Sequence, residues 1–245
     1  MRKTFNYSPN FKTTKRKVNQ IKFIIFHYTG MKKESETIKK LTNIKSEVSC
    51  HYLIKNNGEI VVMVPDLYEA WHAGISSWKN YKFLNKHSIG IEISNPGHAY
   101  NYKKFSKKQI QSLKRLSQFL IKKFRINQKN ILGHSDIAPS RKKDPGEKFP
   151  WKYFAKIGIG KWHSLSKQML IQNREKKISF IDKKNFFKNL SKIGYPIKSS
   201  EKLKKDQFLN LITRAFQRRF RQELINGKID QECLIISQNL VKKFN

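Results

Sequence analysis

The run Ile21-Lys22-Phe23-Ile24-Ile25-Phe26 constrains this chain more than any other stretch of it. A near-continuous apolar segment without period-2 alternation is what a strand buried on both faces looks like. The run gives way at His27-Tyr28-Thr29-Gly30, where a loop is expected. Cys50 to Lys55 and Ile60 to Val64 flank Asn57-Gly58, a hairpin signal. Ile89, Ile91 and Ile93 alternate with Gly90, Glu92 and Ser94, so one strand face carries a lone carboxylate among small residues. Ser106 with Gln109 spells a capping box, and Ile110, Leu113, Leu116, Leu120, Ile121 and Phe124 continue one face of an amphipathic helix. A short strand at Asn130 to Leu132 then leads into Gly133-His134-Ser135-Asp136. Strands and helices intermixed in this way predict an α/β domain, a mixed central sheet flanked by helices, over residues 15–162.

The pattern changes beyond Gly158 and Gly160. A Lys-rich stretch runs through Lys177, and three helical stripes follow. Phe186, Phe187, Leu190 and Ile193 form the first, which Gly194-Tyr195-Pro196 should stop. Phe208, Leu211, Ile212, Ala215, Phe216 and Phe220 form the second, and Cys233, Ile236, Leu240, Val241 and Phe244 the third. These predict a small three-helix domain over residues 180–245. A chain of 245 residues with 38% hydrophobic and 12% aromatic content can bury cores for both.

Charge narrows the partners less than its size suggests. The chain carries 52 Lys+Arg against 17 Asp+Glu, a formal +35. Such an excess suits an anionic partner. Here, however, Lys greatly outnumbers Arg and is scattered along the whole chain, whereas planar phosphate recognition calls for Arg. No nucleic-acid-binding motif accompanies the charge, so no nucleic-acid partner is expected. Cys50 and Cys233 make neither a metal-type spacing nor a disulfide framework. No run approaches the roughly 18 apolar residues of a membrane span. The first apolar run is too short for a signal peptide, and no lipobox cysteine stands near the start. The expected location is therefore cytoplasmic, with periplasmic as the alternative.

The chemistry gathers at strand ends. His27, Glu92, His134 and the segment Arg141-Lys142-Lys143-Asp144-Pro145-Gly146 fall there or in adjoining loops. Two imidazoles and a carboxylate are what a catalytic zinc needs, with a fourth position left for water. On composition alone His51, His72, His87, His98 and His163 compete for the same role. Pro145 biases Asp144 toward extended backbone, so Lys142 and Asp144 should point the same way. An ammonium there is placed to stabilise an oxyanion.

Six motifs occur in order across about 120 residues: His27-Tyr28-Thr29-Gly30, Ser49-Cys50-His51-Tyr52-Leu53-Ile54, Ala70-Trp71-His72-Ala73-Gly74, Ser88-Ile89-Gly90-Ile91-Glu92, Gly133-His134-Ser135-Asp136-Ile137-Ala138-Pro139, and the segment from Arg141 to Gly146. Together they resemble the N-acetylmuramoyl-L-alanine amidase family of the amidase-2 type, its AmiD-like members first and its AmpD-like members next. Phe149-Pro150-Trp151 and Gly158-Ile159-Gly160-Lys161-Trp162 extend the likeness. The resemblance implies one Zn2+ per chain held by His27, His134 and Asp144, with Glu92 as general base and Lys142 as transition-state stabiliser. It also points to Trp71 and His72 as candidates for the substrate groove. The implied activity is hydrolysis of the bond between N-acetylmuramic acid, or its 1,6-anhydro form, and L-alanine, acting on peptidoglycan or soluble muropeptides. The alternative is a non-catalytic fragment binder on the same fold. The tail, from Arg214 to Arg221 and Asn226 to Asp230, resembles a peptidoglycan-binding-like module. Every implied catalytic residue precedes Pro145, so the sequence predicts an amidase domain that stands without that tail.

Overall fold

The computed structural model describes residues 3–197 and 203–244; residues 198–202 and 245, which fall within the expected C-terminal unit, lie outside the described residues. Among the described residues ten strands occur in chain order: β1 (Lys3–Phe5), β2 (Phe11–Lys12), β3 (Phe23–Tyr28), β4 (Tyr52–Ile54), β5 (Ile60–Val62), β6 (Glu69–Ala70), β7 (Ser77–Trp78), β8 (Tyr81–Lys82), β9 (Ser88–Ile93) and β10 (Ile131–Gly133). The helices are α1 (Glu34–Thr42), α2 (Lys107–Phe124), α3 (His134–Ile137), α4 (Trp151–Lys156), α5 (Lys167–Asn173), α6 (Phe180–Ile193), α7 (Lys205–Phe220) and α8 (Gln231–Phe244). Six strands form the central mixed sheet in the order β1-β5-β4-β9-β3-β10, with only the β4–β5 pair antiparallel. The remaining strands make two small ribbons.

The expected strand at residues 21–26 is present but sits two residues later. Its ladder with β9 begins at Phe23↔Ser88 and ends at Tyr28↔Ile93. His27 therefore lies inside the strand, opposite Glu92, rather than in the loop after it. The double-sided burial is as the apolar run predicts. Ile24 and Phe26 enter one core with Leu113, Leu116, Leu120 and Phe124 of α2, while Phe23 and Ile25 enter another with residues of α6, α7 and α8. The predicted capping box holds α2 in place: Ser106 Oγ accepts the Gln109 N–H at 3.1 Å, and Gln109 Oε1 accepts the Ser106 N–H at 2.9 Å.

The three expected tail helices are α6, α7 and α8, and α5 lies in the Lys-rich stretch before them. Gly194 stops α6 at a φ of 135°, as the sequence suggested. Apolar packing crosses the expected boundary between the two units. One buried cluster joins Phe23, Ile25, Leu132 and Ile137 to Phe186, Ile212, Phe216 and Leu240. The tail thus covers one face of the strand that the sequence marked as buried on both. Both cysteines are free and buried. Among the described residues no helix is long and apolar enough to cross a membrane.

Candidate metal centre and active-site pocket

Strands β9, β3 and β10 run parallel and side by side, so their carboxyl ends open on one edge of the sheet. That edge is where open α/β sheets hold ligands. In-register pairing puts neighbouring residues on the same face. Phe23, Ile25 and His27 of β3 therefore share a face with Ser88, Gly90 and Glu92 of β9. His134 follows β10 as the first residue of α3. The loop after α3 returns Asp144 beside it, and the Ser135 N–H donates to the Asp144 carbonyl at 2.9 Å. Gly133 makes this return possible, because a Cβ there would lie 2.6 Å from Cδ of Pro145.

Three donors converge. His27 Nδ1 lies 2.9 Å from His134 Nδ1 and 3.0 Å from Asp144 Oδ2, and His134 Nδ1 lies 3.1 Å from the same oxygen. All three residues are buried, and among the described residues they are the group able to share one metal ion. The surrounding hydrogen bonds fix which ring nitrogens carry protons. His134 Nε2 faces the Ala73 carbonyl at 3.1 Å and must be the donor there, leaving Nδ1 a bare lone pair. Ser88 Oγ gives its proton to the Leu84 carbonyl at 2.6 Å, so it accepts from His72 Nε2 at 3.1 Å. His72 Nδ1 is then an acceptor, and it takes the His27 Nε2–H at 3.0 Å. His27 Nδ1 is consequently a lone pair too.

Two lone pairs and a carboxylate oxygen facing one point repel one another unless a cation sits among them, and this donor set suits a divalent metal. The electrostatics agree. Burial, followed by the neighbouring His134, lowers the His27 pKa to about 4, which keeps the ring neutral. Burial alone would raise the Asp144 carboxyl, but His134 and His27 outweigh it and hold it well below the usual carboxylate range.

Glu92 stands beside this centre. Its Oε2 is shut off from solvent without a hydrogen-bond partner. Burial, then the Asp144 charge, pushes its pKa up to about 8, with Lys142 and Lys40 opposing. Glu92, His134, Asp144, Lys142 and Trp71 all line a cavity of about 490 Å³. Arg141, Lys143 and Lys40 line it too, giving it a cationic rim.

The structure gathers His27, His134, Asp144, Glu92 and Lys142 around one pocket, with half-buried Trp71 in its wall. His72 touches the cavity but stands behind His27, and both of its ring nitrogens are engaged in the relay just described. Its ring has no nitrogen left for a substrate. Of the other competing histidines, His98 lines the same cavity, and His51, His87 and His163 do not. His51 Nδ1 accepts the Gly90 N–H at 3.0 Å, and His98 faces Glu147. Sequence reasoning missed the supports. Ser88 and Gly90 belong to the small-residue face it noted around Glu92, and that face is small because the His72 ring lies against it. It also missed α1, whose Thr37, Lys40 and Leu41 line the pocket. The readable signal was Glu34 and Glu36 at one end of that helix and Lys39 and Lys40 at the other.

Comparison with known proteins sharpens this picture. The profile of a family described as N-acetylmuramoyl-L-alanine amidase matches residues 17–147. The chain is 34% identical over 237 residues to the N-acetylmuramoyl-L-alanine amidase AmiD of Escherichia coli K12, covering 92% of this chain and 84% of that one. It is 41% identical over 107 residues to the 1,6-anhydro-N-acetylmuramyl-L-alanine amidase AmpD of the same strain, covering 44% of this chain and 56% of that one. The structure of E. coli AmiD in complex with anhydro-N-acetylmuramic acid-L-Ala-D-gamma-Glu-L-Lys superposes with a TM-score of 0.79 at 33% identity, covering 95% of this chain and 92% of the other.

Proposed function

Because the chain belongs to the N-acetylmuramoyl-L-alanine amidase family, we propose that it hydrolyses the amide between N-acetylmuramic acid, or its 1,6-anhydro form, and L-alanine in peptidoglycan fragments, in cell-wall turnover or recycling. The observation that carries this reading is the convergence of three unprotonated donors beside the unpartnered Glu92 oxygen, at a cavity of about 490 Å³. His27, His134 and Asp144 would hold one zinc ion. Bound there, it supplies Lewis acidity toward the scissile carbonyl and the attacking water.

The chain's own residues account for the rest. His72 and the Ala73 carbonyl hold the two imidazoles as neutral ligands of fixed orientation. Glu92 takes the proton from water and returns it to the leaving amine of L-alanine. Its pKa, raised to about 8 by burial and the Asp144 charge, would come down toward the range a neutral-pH base requires if a divalent cation offset that charge. Lys142 lines the pocket with its charge felt at both His27 and Glu92, so it opposes the negative charge that grows on the carbonyl oxygen. Trp71 offers its ring as a wall for the fragment.

The test is direct. The purified protein should contain one zinc per chain and release a peptide with an L-alanine amino terminus from anhydro-muropeptide, seen by mass spectrometry. His134→Ala should lose both metal and activity. Full activity in a preparation freed of metal would overturn the reading.

A further inference from the structure

The one-turn helix α3 carries more of the metal centre than its length suggests. His134 opens it, and the Ser135 N–H fixes the Asp144 carbonyl at 2.9 Å, so two of the three donors hang from four residues. So short a helix has almost no hydrogen bonding of its own to hold it. Its one internal bond runs from the Ala138 N–H to the His134 carbonyl at 3.0 Å. Its anchor is the third residue, Asp136. Oδ2 of Asp136 accepts the Gly133 N–H at 2.8 Å, which closes the turn from β10. The other bonds of that carboxylate come from the C-terminal part of the chain, from Tyr195 just past α6 and from Arg219 of α7. Tyr195 donates its hydroxyl to Oδ1 at 2.7 Å, and Arg219 Nη1 donates to Oδ2.

Arg219 is itself held on both sides. Its Nη2 donates to the Ile131 carbonyl at 3.0 Å, at the start of β10, and its guanidinium lies 4.2 Å over the Trp151 ring. Asp136 and Arg219 are each 1% exposed and Tyr195 3%. Removing Arg219 leaves the Asp136 carboxylate buried without its cation, a costly state that favours its displacement. Displacing Asp136 moves the first turn of α3, and with it the His134 ring and the Ser135 N–H that seats Asp144.

We propose that Arg219 and Tyr195 are positioning residues for the metal donors. The C-terminal helices would then complete the metal centre through Asp136, besides any contact they make with substrate. This rests on the reading of His27, His134 and Asp144 as a metal site. Groups one step behind metal ligands typically change metal affinity by about 10- to 100-fold when altered.

The experiment measures zinc affinity of the full chain by competition with a chromophoric chelator, alongside thermal unfolding of the metal-free proteins. Tyr195→Phe and Arg219→Met should each weaken zinc by about 10-fold or more. Asp136→Asn combined with Arg219→Met should bind no more weakly than Arg219→Met alone, because both break one network. Arg221→Met is the control. Its buried pair with Asp230 lies in the same tail but touches nothing in α3, so it should lower the unfolding temperature and leave zinc affinity unchanged. If Tyr195→Phe and Arg219→Met lose thermal stability at undiminished zinc affinity, the cluster only fastens the tail and the proposal is wrong. Should Arg219→Met fail to fold, Tyr195→Phe, which loses a single oxygen, decides the question by itself. A wild-type protein without a zinc site sensitive to His134→Ala would instead overturn the metal reading, and this inference with it.

Discussion

Replacing Gly90 with Ala should damage the metal centre without touching any of its donors. Gly90 is not held at a positive φ, so its backbone admits a side chain, and the space in front of it decides the outcome. The added methyl carbon would lie 2.3, 2.5 and 2.6 Å from Cγ, Cδ2 and Nδ1 of His72. Ordinary carbon contacts begin near 3.5 Å, so the ring must retreat by on the order of 1 Å. The ring is buried and tied at both nitrogens, to His27 at 3.0 Å and to Ser88 at 3.1 Å. A retreat of that size stretches both bonds beyond hydrogen-bonding range, which ends near 3.2 Å for ring N–H groups. Overpacking of this kind costs about 1–3 kcal/mol. For a chain of this length each kcal/mol lowers the unfolding temperature by roughly 2–4 °C.

The more telling change is in the metal. With its Nε2–H no longer accepted, His27 is free to turn, and zinc affinity should fall by about 10- to 100-fold. Chelator competition reads the affinity and calorimetry of the metal-free protein reads the packing. His72→Ala combined with Gly90→Ala should recover much of the unfolding temperature, since the clash is gone. It should bind zinc no better than His72→Ala alone. Zinc held by Gly90→Ala as tightly as by the unaltered protein would refute the reasoning, because it would show that His72 neither needs that space nor steadies His27.

Four other outcomes follow from the same geometry. Glu92→Gln should retain zinc and fold while slowing muropeptide hydrolysis by on the order of 10²-fold; a native rate in single-turnover assays would place the base elsewhere. In metal-free protein the raised Glu92 pKa favours the protonated folded form, so its stabilisation is complete below about pH 4.5 and lost as pH rises through about 8. Urea unfolding in chelator at pH 5 and pH 8 should therefore show a larger drop for the native chain than for Glu92→Gln. Lys142→Met should leave zinc content and thermal stability nearly unchanged while turnover falls by about 10²–10³; activity on a par with the native chain would mean that the oxyanion does not need Lys142. Ending the chain before α6 should abolish cooperative unfolding in calorimetry, because Phe23, Ile25 and Leu132 of the central strands are covered by α6, α7 and α8.

The sequence alone determined many of the elements and which residues are candidates for the chemistry. Apolar periodicity is a local property, so the double-sided strand, the hairpin, the capped α2 and the three tail helices could each be read from their own residues. The motifs likewise put His27, Glu92, Lys142, His134 and Asp144 on a short roster, since catalytic side chains must be particular residue types at strand ends. Register and packing belong to the tertiary structure. The ladder between β3 and β9 decides that His27 stands opposite Glu92, and that Ser88, Gly90 and Glu92 face the same way as His27. Only that arrangement brings His72 against His27, with both of its ring nitrogens engaged. The sequence also suggested a separable tail, because each unit has its own periodic stripe. A stripe shows that a face must be covered but not what covers it. Here α6, α7 and α8 cover the central sheet, and Arg219 and Tyr195 reach across to a carboxylate two residues from His134. Contacts between residues more than fifty positions apart leave no local periodic mark, so only the folded chain could reveal them.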